Sequence, residues 1–322
     1  MNYVIEITGG IGKHIMATAF IRWINEKYPK KKIIVVSSYP EIFEYNPRIW
    51  RNLKLDQPYL FEDYIKDNDF RKGNPYEIQE FYRAENKMHL MEIFPKAYLF
   101  NTYDKDPQME LFLTKGEEIE GKAFCDQHKP LITFQAFGGL APGMGINRMK
   151  IDSGQRDIPY PMAVKICNLL KKKGFNVLQL RGKVEPGIPG TLQVDLPFRN
   201  ILPIIKNAVA HIGIDSSFMH AVAVFKKPQL IFWGGTHVDS FGYKYDRVNN
   251  VCNKYGMHGR PYFAVHDRLA LYPYKDGNDG FEFDYTDREL EKHITQFTDS
   301  IKNIQGGKNV ENNKEDPKKD IL

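Results

Sequence analysis

The chain's tightest constraint on its own fold lies between residues 209 and 233. There an apolar, β-branched run, "VAHIGI", gives way within two residues to "SFMHAVAVF" and then to a second run, "PQLIFW". Short apolar runs separated by a helix-length segment are buried strands joined by a helical crossover, which makes the strands parallel. The pattern recurs. "LITFQAF", the helix "PMAVKICNLLKKKG" and "NVLQL" form one such unit, and "RNILPIIKNA" reads as a helix despite Pro203. At the start of the chain "YVIEI" and "KIIVVSS" flank a helix over about Lys13 to Lys27. Residues 56–113, rich in aromatics and mixed charge, read as strands plus a helix near Ala84 to Phe94. A helical acidic stretch, "KGEEIEGKAFCDQH", then reaches Lys129-Pro130, a plausible hinge. "TDRELEKHITQF" is a last amphipathic helix, and the tail after it has almost nothing to bury.

A length of 322 residues accommodates two domains. The expected division is residues 1–128, residues 129–286, a terminal helix over 287–305 and a disordered tail over 306–322. With 42% hydrophobic and 26% charged residues the composition is that of a soluble globular chain. No apolar stretch approaches the ~20 residues of a membrane helix. The chain opens on a strand with no signal core, and its three cysteines, Cys125, Cys167 and Cys252, are far apart, which predicts packed thiols and a cytoplasmic location. None has metal-site spacing. The net charge of +5 is unevenly placed. Residues 1–128 carry 18 Lys and Arg against 20 Asp and Glu, whereas residues 129–286 carry 20 against 12. The basic excess thus belongs to the second half and favours an anionic small ligand there.

Two turns carry the chemistry. The first, "ITGGIGKHI" over residues 7–15, places Gly9, Gly10 and Gly12 between a strand and a helix. It is not a P-loop, because Ile7 stands where the first glycine belongs and His14 where a Mg²⁺-binding hydroxyl belongs. It is not the dinucleotide fingerprint either, since the third glycine position is Ile15. What remains is a turn of low bulk that another molecule can approach closely. In the second turn, strand "VAHIGI" ends at Asp215, and Ser216 or Ser217 can cap the next helix. Free amides and the helix dipole attract phosphate at such a point, and ligands of open α/β sheets bind at the carboxyl ends of strands. Asp215, Ser216, Ser217 and His220 thereby form a candidate diphosphate site; a local turn residue and a packed histidine are the plainer readings.

These segments resemble a known family. "GIDSSFMHAVAVFKKPQLIFWGGTH" is similar to the G-x-D-[ST]-G-x-x-H-x-A-x-x-x-x-x-P segment of the ADP-heptose:lipopolysaccharide heptosyltransferases, glycosyltransferase family nine. "GGIGKHIMATAFIRWINEKYP" resembles that family's G-x-[LIM]-G-D-x-[IVL]-x-[AT]-[TL]-P opening, and "DLPFRNILPIIKNAVAHIGID" its helix before the donor loop. The resemblance implies an α/β protein of GT-B architecture: two Rossmann-like domains with parallel sheets facing a cleft, the acceptor on the first and the sugar nucleotide on the second. It implies that Asp215, Ser216, Ser217 and His220 receive the donor diphosphate, joined by Arg156 or, as lesser candidates, Lys150 or Arg148. Glu185 is implied as the ribose contact.

There are two departures. Ser217 replaces a frequent glycine, and Lys13 replaces the Asp that deprotonates the acceptor. A protonated Lys13 cannot act as a base without a large fall in pKa. His14 has a suitable pKa, although neighbours on a helix point about 100° apart. The expected activity is therefore metal-independent glycosyl transfer from a nucleotide-diphosphate sugar to a hydroxyl, with no further cofactor. His14 or Lys13 is the candidate catalytic group, and Gly9, Gly10 and Gly12 form the acceptor-side loop. Lipopolysaccharide core, another glycan, a protein or a modified DNA base are conceivable acceptors. A DNA acceptor requires a basic stripe on the first domain, for which only Lys30 to Lys32, Arg48 and Arg51 are at hand. A non-catalytic sugar-nucleotide-binding module and a nucleotide-sugar epimerase are the rivals.

Overall fold

Strand Tyr3–Ile7 (β1) is apolar at all but two of its positions, and helix Ile11–Lys27 (α1) returns the chain to strand Ile33–Ser37 (β2) beside it. The two strands pair in parallel, Val4 opposite Ile34 and Glu6 opposite Val36. Their apolar residues are completely enclosed, as both faces of a parallel sheet must be. Strands Arg51–Lys54 (β3) and Asp69–Lys72 (β4) complete a four-stranded parallel sheet in the order β3-β2-β1-β4. The computed structural model describes residues 1–73, 89–138, 156–182, 185–233, 238–252 and 285–305.

Helices Leu90–Ala97 (α2) and Lys115–Gln127 (α3) lead to a second sheet. Its strands are Leu131–Phe134 (β5), Asn176–Gln179 (β6), Leu192–Gln193 (β7), Ala210–Ile214 (β8), Gln229–Trp233 (β9) and Val248–Cys252 (β10). They lie in the order β10-β9-β8-β5-β6-β7, all parallel. Between them run helices Tyr160–Lys172 (α4), Phe198–Asn207 (α5), Ser217–Val224 (α6) and Val238–Phe241 (α7). Helix Asp287–Gln305 (α8) seats Leu290, Ile294, Phe297 and Ile301 in one core with Ile166 and Leu170 of α4. Among the described residues no helix is long and apolar enough to cross a membrane. Cys125 and Cys167 are buried free thiols.

The α/β reading holds, with two parallel sheets. The structure departs from the sequence expectation in the details of the first half. Helix α1 begins at Ile11, two residues early, because Gly10 caps it through extended backbone alone. Helix α2 starts after His89, which forms a reciprocal capping box with Glu92; residues 84–88 of the expected helix lie outside the described residues. Helix α3, assigned to the first half, packs along α5 of the second, close enough that a Cβ on Gly121 would stand 2.4 Å from the Pro203 carbonyl carbon. The expected disordered tail, Arg148 and Lys150 lie outside the described residues.

Helix α1 joins the halves. It is apolar around most of its circumference, and Ile15, Met16, Phe20, Ile21 and Ile24 are all fully buried. A helix of that kind needs cover on every side. The first sheet supplies one side, α2 another, and α6 of the second half covers its N-terminus. Two helix N-termini, each just past the carboxyl end of a strand, therefore meet at one place.

Candidate active site

The second-half turn is built from its cap outward. Ser216 is extended (φ −160°, ψ 170°), and its Oγ accepts a hydrogen bond from the Met219 amide at 3.4 Å. The same hydroxyl donates to Oε1 of Gln135, whose amide group donates to the Phe137 carbonyl at 3.0 Å. The cap thus ties α6 to the exit of β5, while Ser217 and Phe218, ahead of the capped amide, line a cleft of about 440 Å³. Arg156 also lines it, and its Nη1 donates to the Asp215 carbonyl at 3.4 Å. Beside it, Asp157 accepts from the Gly138 amide at 2.6 Å, and burial pushes its carboxyl up to about 7 against the opposing pull of that hydrogen bond and Arg156.

His220 reaches the cleft from the next turn of α6. Its Nδ1 lies 2.6 Å from the Tyr243 hydroxyl and its Nε2 4.0 Å from Oδ1 of Asp215. Burial, with Arg156 adding to it, lowers its pKa to about 3, so the ring is neutral.

The first-half turn faces this ring. Gly9 has φ +100°, a conformation that favours glycine, and a Cβ there would strike the Lys13 side chain at 2.9 Å. A Cβ on Gly12 would stand 2.6 Å from Cδ2 and 3.1 Å from Nε2 of His220, and 3.6 Å from the Ser217 Cα. Glycine is required there because the other half of the molecule occupies the space. Gly10, Gly12 and Lys13 line the cleft.

His14 does not. Its ring is fully buried, with Nδ1 2.9 Å from the Gly10 carbonyl and Nε2 3.1 Å from the Ile7 carbonyl. Tyr39 packs against it in a T-shaped arrangement and Phe43 at a tilt. Burial lowers its pKa to about 4. This geometry does not favour the expected role of general base: each ring nitrogen faces a carbonyl of the turn, the neutral ring donates its single N–H to one of them, and His14 is not among the residues that line the cleft. His14 braces the strand-to-helix connection.

Glu185 also lines the cleft; it is nearly buried, and burial raises its carboxyl pKa above the ordinary value. Its Oε2 is buried and has no hydrogen-bond partner among the described residues, an oxygen able to accept from a ligand hydroxyl. Arg181, at the exit of β6, donates to the Glu185 carbonyl at 2.7 Å. Phe198 and Phe218 stack with their centroids 5.0 Å apart and also line the cleft.

The structure therefore brings together Gly10, Gly12, Lys13, Arg156, Glu185, Asp215, Ser216, Ser217 and His220 along one cleft. Sequence reasoning missed Gln135, Asp157, Arg181, Tyr243 and the Phe198–Phe218 pair. Of these only Arg181 carried a local signal, directly following the run "NVLQL". Among the described residues no group of three or more His, Cys, Asp or Glu is placed to hold a metal ion.

No family model matches the sequence, and no curated protein matches it. Solved structures do match the fold. The ADP-heptose lps heptosyltransferase II of E. coli superimposes with a TM-score of 0.63 at 12% identity, covering 94% of this chain and 100% of that one. A glycosyl transferase family 9 structure from Veillonella parvula gives 0.61 at 11% identity over 93% and 96%. E. coli heptosyltransferase WaaC with ADP gives 0.55 at 10% identity over 94% and 99%. Two parallel-sheet halves around one cleft, matched nearly end to end by these structures, give this chain a GT-B fold like that of glycosyltransferase family 9 and the ADP-heptose heptosyltransferases.

Proposed function

We propose that the protein transfers a glycosyl group, heptose or a similar sugar, from a nucleoside-diphosphate sugar to a hydroxyl of a glycan acceptor. The observation that carries this reading is the convergence on one cleft of the α6 N-terminus, Arg156 and Lys13 with the Oε2 of Glu185, which has no partner among the described residues. The first set matches a diphosphate, and the second matches a ribose hydroxyl. The bond between the sugar's anomeric carbon and the diphosphate oxygen breaks with its electron pair going to the diphosphate. The first-turn amides and Arg156 stabilise that charge as it grows. Meeting it with protein cations does the work a divalent ion does elsewhere, so the proposed reaction needs neither metal nor cofactor. The acceptor oxygen bonds to the anomeric carbon and yields its proton to a carboxylate. Asp215, expected from the sequence among the diphosphate residues, is the carboxylate we assign to that role, because it lies 4.0 Å from Nε2 of the His220 ring that Gly12 abuts.

The bound ends of the acceptor domain argue against a duplex DNA substrate. Arg48 is committed to Glu110 and Asn25, while Lys32 and Arg51 bracket the Trp50 ring. Lys32 and Arg51 stand where β2 and β3 begin, at the end of the sheet opposite the glycine turn. The replacement of a carboxylate by Lys13 favours one other reading, a sugar-nucleotide-binding module without turnover; release of nucleoside diphosphate only in the presence of an acceptor decides against it.

Calorimetric titration with nucleoside diphosphates tests the proposal. One of them is expected to bind, and Arg156→Ala is expected to weaken that binding by roughly 1.5–3 kcal/mol, the worth of a hydrogen bond to a charged group. Equal affinity in the variant overturns the assigned role of Arg156, and no binding of any sugar nucleotide overturns the proposal.

A further inference from the structure

Tyr243 follows the short helix α7 and is buried between the halves. Its ring lies 5.4 Å from His89 of the first half and 5.7 Å from His220, edge to face with the latter. Among the described residues its hydroxyl has two hydrogen-bond neighbours: His220 Nδ1 at 2.6 Å and the Met109 sulfur at 3.4 Å. A phenol has one proton to give. An imidazole nitrogen is a much stronger acceptor than a thioether, and it is also the nearer of the two. On the opposite edge of the ring, Nε2 lies 4.0 Å from the Asp215 carboxylate, an anion that favours a proton on that nitrogen. Both influences select the same tautomer. The ring edge that bears Nε2 is the one that faces Gly12 and the cleft.

From this arrangement we infer that Tyr243 is a positioning residue that holds neutral His220 in its Nε2–H tautomer, so that the histidine presents a hydrogen-bond donor to the donor diphosphate. Without the phenol O–H donating to Nδ1 the ring would be free to carry its proton there and turn the Nε2 lone pair toward an anion. The phenol keeps its proton for this purpose: burial, together with Asp215, raises its pKa well above the ordinary value. The tautomer rests on local geometry, and its use on a diphosphate rests on the reading given under Proposed function.

Tyr243→Phe keeps the ring and its packing and removes only the hydroxyl. The test is the ¹⁵N spectrum of histidine-labelled protein, with His220→Gln identifying the resonance. The native protein is expected to show His220 with Nδ1 as an unprotonated acceptor and Nε2 protonated, and Tyr243→Phe a shift toward a mixture of tautomers. In assays with the sugar nucleotide that the calorimetry identifies, kcat is expected to fall by about tenfold, the scale of one lost hydrogen bond, with the acceptor KM unmoved. An Nδ1–H tautomer in the native protein, or an unchanged tautomer and kcat in Tyr243→Phe, overturns the inference. The expected tautomer in a protein that binds no sugar nucleotide supports the positioning role of Tyr243 and overturns the donor reading instead.

Discussion

Lys13 and His14 are neighbours on the first turn of α1 with opposite surroundings. The Lys13 side chain lies under Gly9 and lines the cleft, whereas the His14 ring turns inward between two backbone carbonyls. The two positions therefore separate in their effects. His14→Phe fills much of the same volume but removes the one ring N–H that the neutral histidine donates to the Gly10 or the Ile7 carbonyl. It is expected to cost about 1–3 kcal/mol of stability, read as a lower urea midpoint, with transfer per folded molecule retained. Lys13→Met keeps the aliphatic stem and removes the charge. Its stability should hold while nucleoside-diphosphate affinity drops by roughly 1.5–3 kcal/mol. Loss of turnover with full stability in His14→Phe would return the catalytic role to that histidine.

At the scale of elements, the contact between α3 and α5 is set by a missing side chain. Gly121 is buried, and a Cβ there would stand 2.4 to 2.5 Å from backbone and Cβ atoms of Pro203, none of which can rotate away. Gly121→Ala is accordingly expected to force the helices apart. The cost is about 1–3 kcal/mol, seen as a lower urea midpoint with an unchanged slope; no change would show that the helices slide freely. The sequence revealed that both segments are helices but not that they touch, because a glycine's partner leaves no trace in its own neighbourhood. The same distinction runs through the fold. The strands of the second half were legible, since "VAHIGI" and "PQLIFW" are apolar at almost every position. Edge strands β3 and β4, "RNLK" and "DFRK", are mostly polar and part-exposed, so periodicity cannot find them. In the site, the turn at Asp215 was legible because a strand end, a serine cap and a helix start are consecutive. Tyr243 and Gln135 were not, since they reach His220 and Ser216 from other segments of the chain.

The molecule as a whole depends on charges and rings that folding takes out of water. Arg199 of α5 donates to both oxygens of Glu117 on α3, at 2.7 and 2.9 Å, and also to the carbonyls of Glu41 and Phe112 in the first half. The guanidinium holds the Glu117 carboxyl down to about 2. His14, His211 and His220 are buried and kept neutral, lowered to about 4, 3 and 3. The sign is the same for both kinds of group. In each, the folded form has the lower pKa, so the unfolded chain binds more protons as the pH falls and stability declines. The windows differ. The histidine contribution is complete above about pH 6.5 and is lost down toward 4 to 3, at up to about 1.4 kcal/mol per pH unit for each ring. The Glu117 contribution is complete above about pH 4.5 and is lost toward 2. Urea midpoints measured from pH 7.5 to 3.5 should therefore begin to fall near pH 6.5, well before ordinary carboxylates titrate. His211→Gln, which removes a titrating ring that does not line the cleft, should flatten the upper part of that decline. Glu117→Gln should lower stability at pH 7 yet leave the decline between pH 6.5 and 5 unchanged. A midpoint that stays level down to pH 5 would mean that the buried rings are protonated in the folded protein, and with them His220, which could then no longer act as a neutral donor in the cleft.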